Sequence, residues 1–573
     1  MRYISLISVL IIALALAFGR LAYINWNEPG ANVLTSDAFG YYLYLPGKYI
    51  HHDLTKLTWL PEILDKYRPT GNLYQVIPLE NGNFAMKYLM GLSIIYTPFF
   101  FLGHCIAGAL EYPQDGFSTP YPLSICFGAW VYAVLGFFLL RKVMLHFFSD
   151  AITAVVLLLI AMATNYPQYV VVDSAMTHGF LFMMYALLLW ITVGWVKKPN
   201  LISAFLLGGV IGLSCITRPT EAVMLIIPLF WKMPDGKPVW SFFRRNASHL
   251  RWALLGGFLG ILPQLWYWKS VTGKWIFDVG SKFLFFRPHW QVLFGWEKGW
   301  FIYTPIAILM ITGLFLQKKY PFGKAISIFT FFNIWIIIAW SDWRYGASYS
   351  CRAIIQSYPV MALPLALTVG NMLSGFKKYV FPLLLVFFTF LNIFQIWQYN
   401  SGVLHYNDMN RHYYQAIFLN ANPSPVDMSL LDTEEVIKDQ GLYSVLSEIK
   451  TDSIYLINKN SNGKAIIIDT MLNKINGFQP AQEQWFHITA QVLSAWGAFD
   501  TRLELQVSNG QNLKRTACRM HNGISNIQGW NTIEFFFRIP ENCETGQLVL
   551  FSETTTVQDI YIRNVVLHLL SRK

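Results

Sequence analysis

The sequence predicts a polytopic α-helical membrane protein of about eleven transmembrane helices, followed by a C-terminal all-β sandwich domain. Three observations carry that expectation. Only 13% of the 573 residues are charged and 54% are hydrophobic, where a water-soluble domain carries about a quarter charged residues. Apolar runs long enough to suggest membrane helices recur from Ile4 to Trp397. From about residue 441 the pattern changes to short alternating runs of strand type.

The expected spans fall at 4–24, 121–145, 150–165, 172–196, 201–216, 219–232, 251–270, 300–317, 322–341, 352–371 and 378–398. Several are shorter than the roughly 20 residues that cross a bilayer upright, so tilt or local thinning is needed. The first run follows Arg2 and resembles a signal peptide, but the apolar segments after it favour a retained helix. The formal net charge of +11 is mostly explained by basic residues on cytoplasmic loops. Arg141–Lys142, Lys197–Lys198, the 232–251 loop, Lys318–Lys319 and Lys377–Lys378 then lie in the cytoplasm. With a cytoplasmic N-terminus this works only if residues 89–110, with the run "MGLSIIYTPFFFLGHCIAGAL", do not cross. Pro98 is expected to break that run into a re-entrant or membrane-lying helix. The first outer loop runs from about Asn25 to Pro120, and eleven spans leave the C-terminus outside.

After the spans, "LNANPSPVD" marks residues 401–440 as a linker. Runs such as "KAIIID", "WFHITAQVL", "TRLELQVS" and "DIYIRNVVLHLL" then make a sandwich over 441–573, with a pattern like a carbohydrate-binding module. Of six cysteines, Cys518 and Cys543 lie in this part, either as a disulfide or as two free thiols. No helix-turn-helix, zinc-finger or RNA-binding signature occurs, so nucleic acid is set aside as a partner.

Candidate chemistry lies in the outer loops. Lys48, Lys56, Lys87, Arg218, Lys274, Lys282, Arg287, Arg344 and Arg352 fall on the outer side, against the charge bias. Anionic headgroups or a phosphate ligand would account for them. "TSDAFGYY", residues 35–42, puts Asp37 about a dozen residues after the first helix. The residues alone leave two readings open: a helix cap by Ser36 or Asp37, or an active-site carboxylate. Phe39, Tyr42, Leu43 and Leu45 are expected to lay an apolar face on the bilayer, with Tyr41 and Tyr42 as substrate-contacting candidates. "NYPQYVVVDSAMTHGFLF" offers Asp173 and His178 at the second outer loop, and "TRPTE" sets Arg218 at an outer tip. His51, His52 and Asp53 are spaced poorly for a metal and read as an exposed loop. The Trp and Tyr residues of "GWEKGWFIYTP" and "WSDWRYG" read mainly as an aromatic belt.

In layout, residues 1–400 resemble the GT-C superfamily of polytopic glycosyltransferases, such as protein O-mannosyltransferases and the lipid A aminoarabinose transferase. The likeness rests on a long first outer loop with an early acid, interfacial aromatic helices and a membrane-lying helix. It implies a donor sugar on a polyprenyl phosphate and a catalytic first-loop carboxylate, here Asp37. It also implies a second acidic position in the next outer loop, filled by Asp173 or His178, and basic residues on the lipid phosphate, here Lys87, Arg218 and Arg352. Asp37, Asp173 and His178 form a candidate set for a divalent cation, Mg or Mn. The implied activity is transfer of a sugar to a hydroxyl of a glycan, lipid or protein on the outer face of the cytoplasmic membrane. The competing expectations are a transporter or flippase for a lipid-linked glycan, and a non-catalytic surface-glycan binding or assembly protein.

Overall fold

Among the described residues, six helices are long and apolar enough to cross a membrane: Ile4–Tyr23, Gly91–Ala109, Pro120–Met144, Thr177–Lys197, Arg352–Met372 and Tyr379–Asn400. They come from a computed structural model, which describes residues 3–24, 33–237, 239–373, 377–437, 439–461, 463–480, 482–494, 501–510, 513–520, 529–541 and 543–573. Arg2, residues 25–32 at the head of the expected first outer loop, and the side chains of Lys377 and Lys378 lie outside the described residues. Four shorter apolar helices, Asp150–Met162, Leu201–Cys215, Pro219–Phe230 and Gly323–Ala339, accompany the six. The chain divides into two compact units, Met1–Ile393 and Phe394–Lys573.

Local signals set the helix boundaries. Ser149 caps Asp150–Met162 by accepting from the Ile152 amide, and Asn200 caps Leu201–Cys215 by accepting from the Ser203 amide at 2.8 Å. The expected 300–317 span is instead two pieces, Trp300–Tyr303 and Ala307–Leu314. Pro305 explains the break, because a proline drives the residue before it out of the α region. Pro98, by contrast, does not break its helix, and the expectation that it would is corrected: Gly91–Ala109 is continuous through it. Neighbouring hydroxyls satisfy carbonyls close to the proline. Thr97 Oγ1 donates to the Ser93 carbonyl at 3.0 Å, and the Tyr132 hydroxyl to that of Ile95 at 3.1 Å.

Two contacts register the helix ends. The Ile4 amide donates to Asp150 Oδ2 at 2.9 Å, and Arg141 Nε donates to Ser5 Oγ at 2.7 Å. The start of Ile4–Tyr23, the end of Pro120–Met144 and the start of Asp150–Met162 therefore share one level. Leu201–Cys215 packs on the 26-residue helix Ala247–Thr272 with the backbones almost touching. A Cβ on Gly208 would lie 1.8 Å from the Ala253 carbonyl oxygen. Small residues are what allow helices to approach this closely in a membrane.

In the first unit a small antiparallel pair, β1 (Val76–Pro78) with β2 (Phe84–Met86), lies in the first loop. The helix Ser36–Tyr42 does not lay its apolar face on the bilayer. Phe39, Tyr42, Leu43 and Leu45 are all buried in the protein core, where the Phe39 and Tyr42 rings pack on Phe117. This corrects the expectation of an interfacial face, and the cause is aromatic self-association with the rest of the loop.

The second unit holds two antiparallel sheets. One has the order β5 (Lys464–Met471), β10 (Gln547–Glu553), β7 (Arg502–Ser508), β8 (Leu513–Arg519). The other has the order β3 (Tyr443–Thr451), β11 (Ile560–Arg572), β6 (Gln484–Ser494), β9 (Asn531–Arg538), with β4 (Tyr455–Ile457) also on β11. Alternate residues of both sheets, among them Phe486, Ile488, Leu503 and Leu505, enter one hydrophobic cluster. Cys518 and Cys543 are both buried free thiols. The segment expected to be a linker contains two helices, Arg411–Ile417 and Pro425–Ser429, the latter opened by a Ser424–Asp427 capping box.

Candidate active site

Asp37 occupies the first turn of Ser36–Tyr42 but caps nothing, since no side chain supplies that N-cap bond. Its oxygens are used elsewhere. Oδ1 accepts from the Tyr88 hydroxyl at 2.5 Å and the Tyr74 hydroxyl at 2.9 Å, while Oδ2 accepts from Arg352 Nη2 at 3.1 Å. The Asp37 side chain is 23% exposed and that of Arg352 15%. A carboxylate offers about four acceptor positions, so one remains on Oδ2 for an incoming donor group.

The backbone around Asp37 is held against its preferences. Ser36 has φ of 51°, a left-handed value that costs a non-glycine residue energy. The Ser36 amide donates to the Pro69 carbonyl at 3.1 Å, and Gln75 Nε2 donates to the Ser36 carbonyl at 3.0 Å. One turn on, Gly40 provides the room for Tyr88: a Cβ there would meet the Tyr88 ring at 2.2 Å.

Burial pushes the Asp37 carboxyl up, but the Arg352 guanidinium and the hydroxyls of Tyr88 and Tyr74 more than offset it. The group therefore ionises below its ordinary range. Burial raises the Tyr74 hydroxyl to about 12, with the Asp37 charge adding to the effect. The Tyr41 hydroxyl is likewise pushed up to about 12 by burial, with Arg218 pulling it down and Asp37 pushing it up. Tyr41 packs against Tyr88 with the rings tilted and their centroids 4.7 Å apart, and so belongs to the cluster. Tyr42 does not: it is fully buried, and its hydroxyl donates to the Gly116 carbonyl at 2.5 Å.

Arg218 stands just before the short helix Pro219–Leu225, close enough to act on Tyr41, His178 and Glu221. Among the described residues its guanidinium has no hydrogen-bond or ion-pair partner. Its segment is joined to that of Lys87, because the Gly91 amide donates to the Ile216 carbonyl at 2.7 Å. Lys87 is exposed, with its ammonium 5.5 Å from the Tyr74 ring centroid. Arg352, expected to be a third phosphate ligand, is thus engaged with Asp37, its one hydrogen-bond partner among the described residues.

Asp173 lies in the turn between Gln168–Val172 and the helix Thr177–Lys197. Its side chain is exposed, yet burial among the surrounding atoms pushes its carboxyl up, opposed by Gln168 (Nε2 to Oδ2, 3.1 Å) and Arg352. His178 is buried in a polar chain that sequence reading did not find. Gln356 Nε2 donates to Glu221 Oε1 at 3.1 Å, Tyr185 donates to Glu221 Oε2 at 2.6 Å, and His178 Nδ1 meets Gln356 Oε1 at 3.0 Å. The amide must turn its nitrogen to Glu221, so its oxygen faces His178, which must donate from Nδ1. Nε2 is then an acceptor, and it is buried without a partner. Asp37, Asp173 and His178 are not gathered as one donor set, and among the described residues no group of three or more His, Cys, Asp or Glu is placed to hold a metal ion.

His51 stacks on Trp59 at 4.5 Å, and Asp53 caps the turn after it through the amides of Thr55, Lys56 and Thr58. Both are local loop architecture. No protein-family model matches the chain, and no curated protein sequence is significantly similar to it.

Proposed function

We propose that the protein is a glycosyltransferase of GT-C type, moving a sugar from a polyprenyl-phosphate donor to an acceptor hydroxyl. The observation that carries the reading is one half-open carboxylate, Asp37, kept ionised by Arg352 and two phenols, with Arg218, unpartnered among the described residues, acting on Tyr41 of the same cluster. The acceptor hydroxyl donates to the free position on Asp37 Oδ2 and attacks the anomeric carbon. The bond to the phosphate oxygen breaks, and the phosphate leaves with the electron pair. Asp37 takes the acceptor's proton as general base, and Arg218, Lys87 and Arg352 stabilise the departing charge. Direct displacement inverts the anomeric centre. Charge neutralisation is assigned to Arg352 and Arg218 rather than to a divalent cation.

The finer architecture belongs to this reading: eleven spans in the cytoplasmic membrane, a cytoplasmic N-terminus, and an extracytoplasmic β-sandwich. The Arg141–Ser5 and Asp150–Ile4 contacts support it. If Ile4–Tyr23 and Pro120–Met144 each cross once, their joined ends leave no odd crossing for Gly91–Ala109 between them. Membrane-impermeant thiol labelling is expected to modify Gln114→Cys and Asp235→Cys from opposite faces. Same-side labelling would mean an even number of crossings between the two residues and would overturn the span count over 121–232.

The test of the activity is a reconstituted assay with a lipid-phosphate-linked sugar. Wild type is expected to release free polyprenyl phosphate as the acceptor gains its sugar. Losing an Arg–phosphate contact costs about 1.5–3 kcal/mol, so Arg218→Gln is expected to lower kcat/KM for the donor by about tenfold to a hundredfold with the fold intact. An unchanged kcat/KM would remove Arg218 from the phosphate site.

A further inference from the structure

Between the helix Ala247–Thr272 and Gln291, residues 273–290 form no helix, yet they are braced in place. Phe283 bridges Trp340 in antiparallel fashion. The Leu284 amide donates to the Ala339 carbonyl at 2.5 Å, the His289 amide to that of Ile338 at 2.7 Å, and the Ser341 amide to that of Lys282 at 3.0 Å. A turn closed by the Arg287 amide on the Leu284 carbonyl, at 2.9 Å, carries Phe285 and Phe286 at its tip.

That braced tip is greasy and basic at once. Phe286 is 101% exposed and Ile276 75%, with Trp275, Phe285 and Trp290 also exposed. Lys274, Lys282 and Arg287 are exposed, and among the described residues their side chains have no ion-pair partner. The segment's one carboxylate, Asp278, is used within its own turn, accepting from the Gly280 amide at 2.8 Å. The helix that feeds the segment shows the same outward character, with Leu254, Phe258 and Trp266 exposed. An exposed apolar face continuous with that of the preceding helix, edged by cations and aromatic rings, has the composition of a membrane–water interface.

We propose that residues 273–290 insert into an anionic lipid leaflet, with the Phe285–Phe286 tip at the acyl boundary and the three cations on lipid phosphates. The occupant is lipid because three unneutralised cations complement anionic headgroups, and because the exposed apolar face continues along Ala247–Thr272. The brace ends at the loop leading to Arg352, and a Cβ on Gly346 in that loop would meet the Arg352 guanidinium at 3.9 Å. On this proposal the segment anchors the loop that lies against Arg352. This anchoring stands independently of whether sugar is transferred there.

The experiment places a spin label at Phe286→Cys in the full chain. Cys105, the exposed native thiol, and Cys215, the half-buried one, are first replaced. The protein is reconstituted in phosphatidylcholine vesicles with and without phosphatidylglycerol. The label is expected to be accessible to oxygen and shielded from a water-soluble nickel complex, as a label at Leu254→Cys would be. Nickel accessibility like that of a label at Asp235→Cys overturns insertion. Phosphatidylglycerol is expected to deepen the label, and K274Q/K282Q/R287Q to abolish that deepening. A depth indifferent to both overturns the anionic-lipid assignment. Dipolar broadening that disappears on dilution with unlabelled protein would assign the face to a second copy of the chain and overturn the proposal.

Discussion

Asp37→Asn is expected to lower sugar transfer by about 10²–10⁴-fold, the range for loss of a positioned general base, while the protein still folds and binds its lipid-linked donor. The substitution keeps the shape. Tyr74 and Tyr88 can still donate to the remaining carbonyl oxygen, but the new amide nitrogen has no lone pair for a proton and meets the donor Arg352 Nη2. Donor binding through Arg218 is expected to persist, so the loss should appear in kcat. Full transfer by the variant would end the catalytic assignment and favour the transporter or glycan-binding reading. The pH profile is a second, independent readout. Net stabilisation of the Asp37 anion holds its ionisation below the ordinary carboxylate range. The acid limb of activity should therefore lie below about pH 4, with no fall between neutral and mildly acid pH. Tyr88→Phe removes one hydroxyl that lowers the group, so it should move that limb upward. The stability linked to this group has the same sign: present above the unfolded-state value, and lost as pH falls through the depressed folded-state value.

How much of this site was legible depended on the distance over which each signal acts. Asp37 and Arg218 stood out in the sequence because a charge near a bilayer is itself anomalous, and the family resemblance supplied the roles proposed for them. Tyr74, Tyr88, Glu221 and Gln356 were missed. Tyr88 and Asp37 are 51 residues apart, and Gln356 and Glu221 are 135 apart, so no local pattern joins them. Tyrosine near a membrane has a cheaper default explanation in the aromatic belt. Tyr42 was misplaced for a related reason: an amphipathic aromatic helix looks the same whether its face meets lipid or a buried Phe117.

The fold shows the same limits. Strong periodicity located most strands of the second unit, including β5, β6, β7 and β11, within a few residues. The strands not anticipated, β3 and β8, lie at sheet edges, as do β5 and β9. Their sequences, "YSVLSEIKT" and "LKRTACR", carry the charges with which edge strands resist further pairing, and those charges blur the alternation. Pro305 broke its apolar run and Pro98 did not, a difference that no composition window contains. In each case the outcome depends on local partners, and near Pro98 the Thr97 and Tyr132 hydroxyls cover nearby carbonyls.

Arg519→Ala is expected to destabilise the second unit by about 3–5 kcal/mol, the cost of leaving a buried charge without its partner. Arg519, at the end of edge strand β8, has a side chain only 8% exposed, and that of Asp432 is 3% exposed. Arg519 Nη2 donates to Asp432 Oδ1 at 2.7 Å, Nε donates to the same carboxylate at 3.0 Å, and Nη1 reaches Asp408 Oδ2 at 3.2 Å. The Arg519 backbone amide adds a 2.8 Å bond to Asp432 Oδ2. This network ties the segment read as a linker to the sheet edge. Pulse proteolysis of the full chain in urea, following the fragment that ends at Lys573, measures the effect. The pair should behave asymmetrically. Arg519→Ala strands the Asp432 carboxylate in a low-dielectric site, whereas Arg519→Met combined with Asp432→Leu removes both charges and fills the volume with carbon. The double variant is therefore expected to recover most of the lost stability. If Arg519→Ala costs less than about 1 kcal/mol, the network is no stronger than an exposed ion pair, and residues 401–440 act as a tether after all.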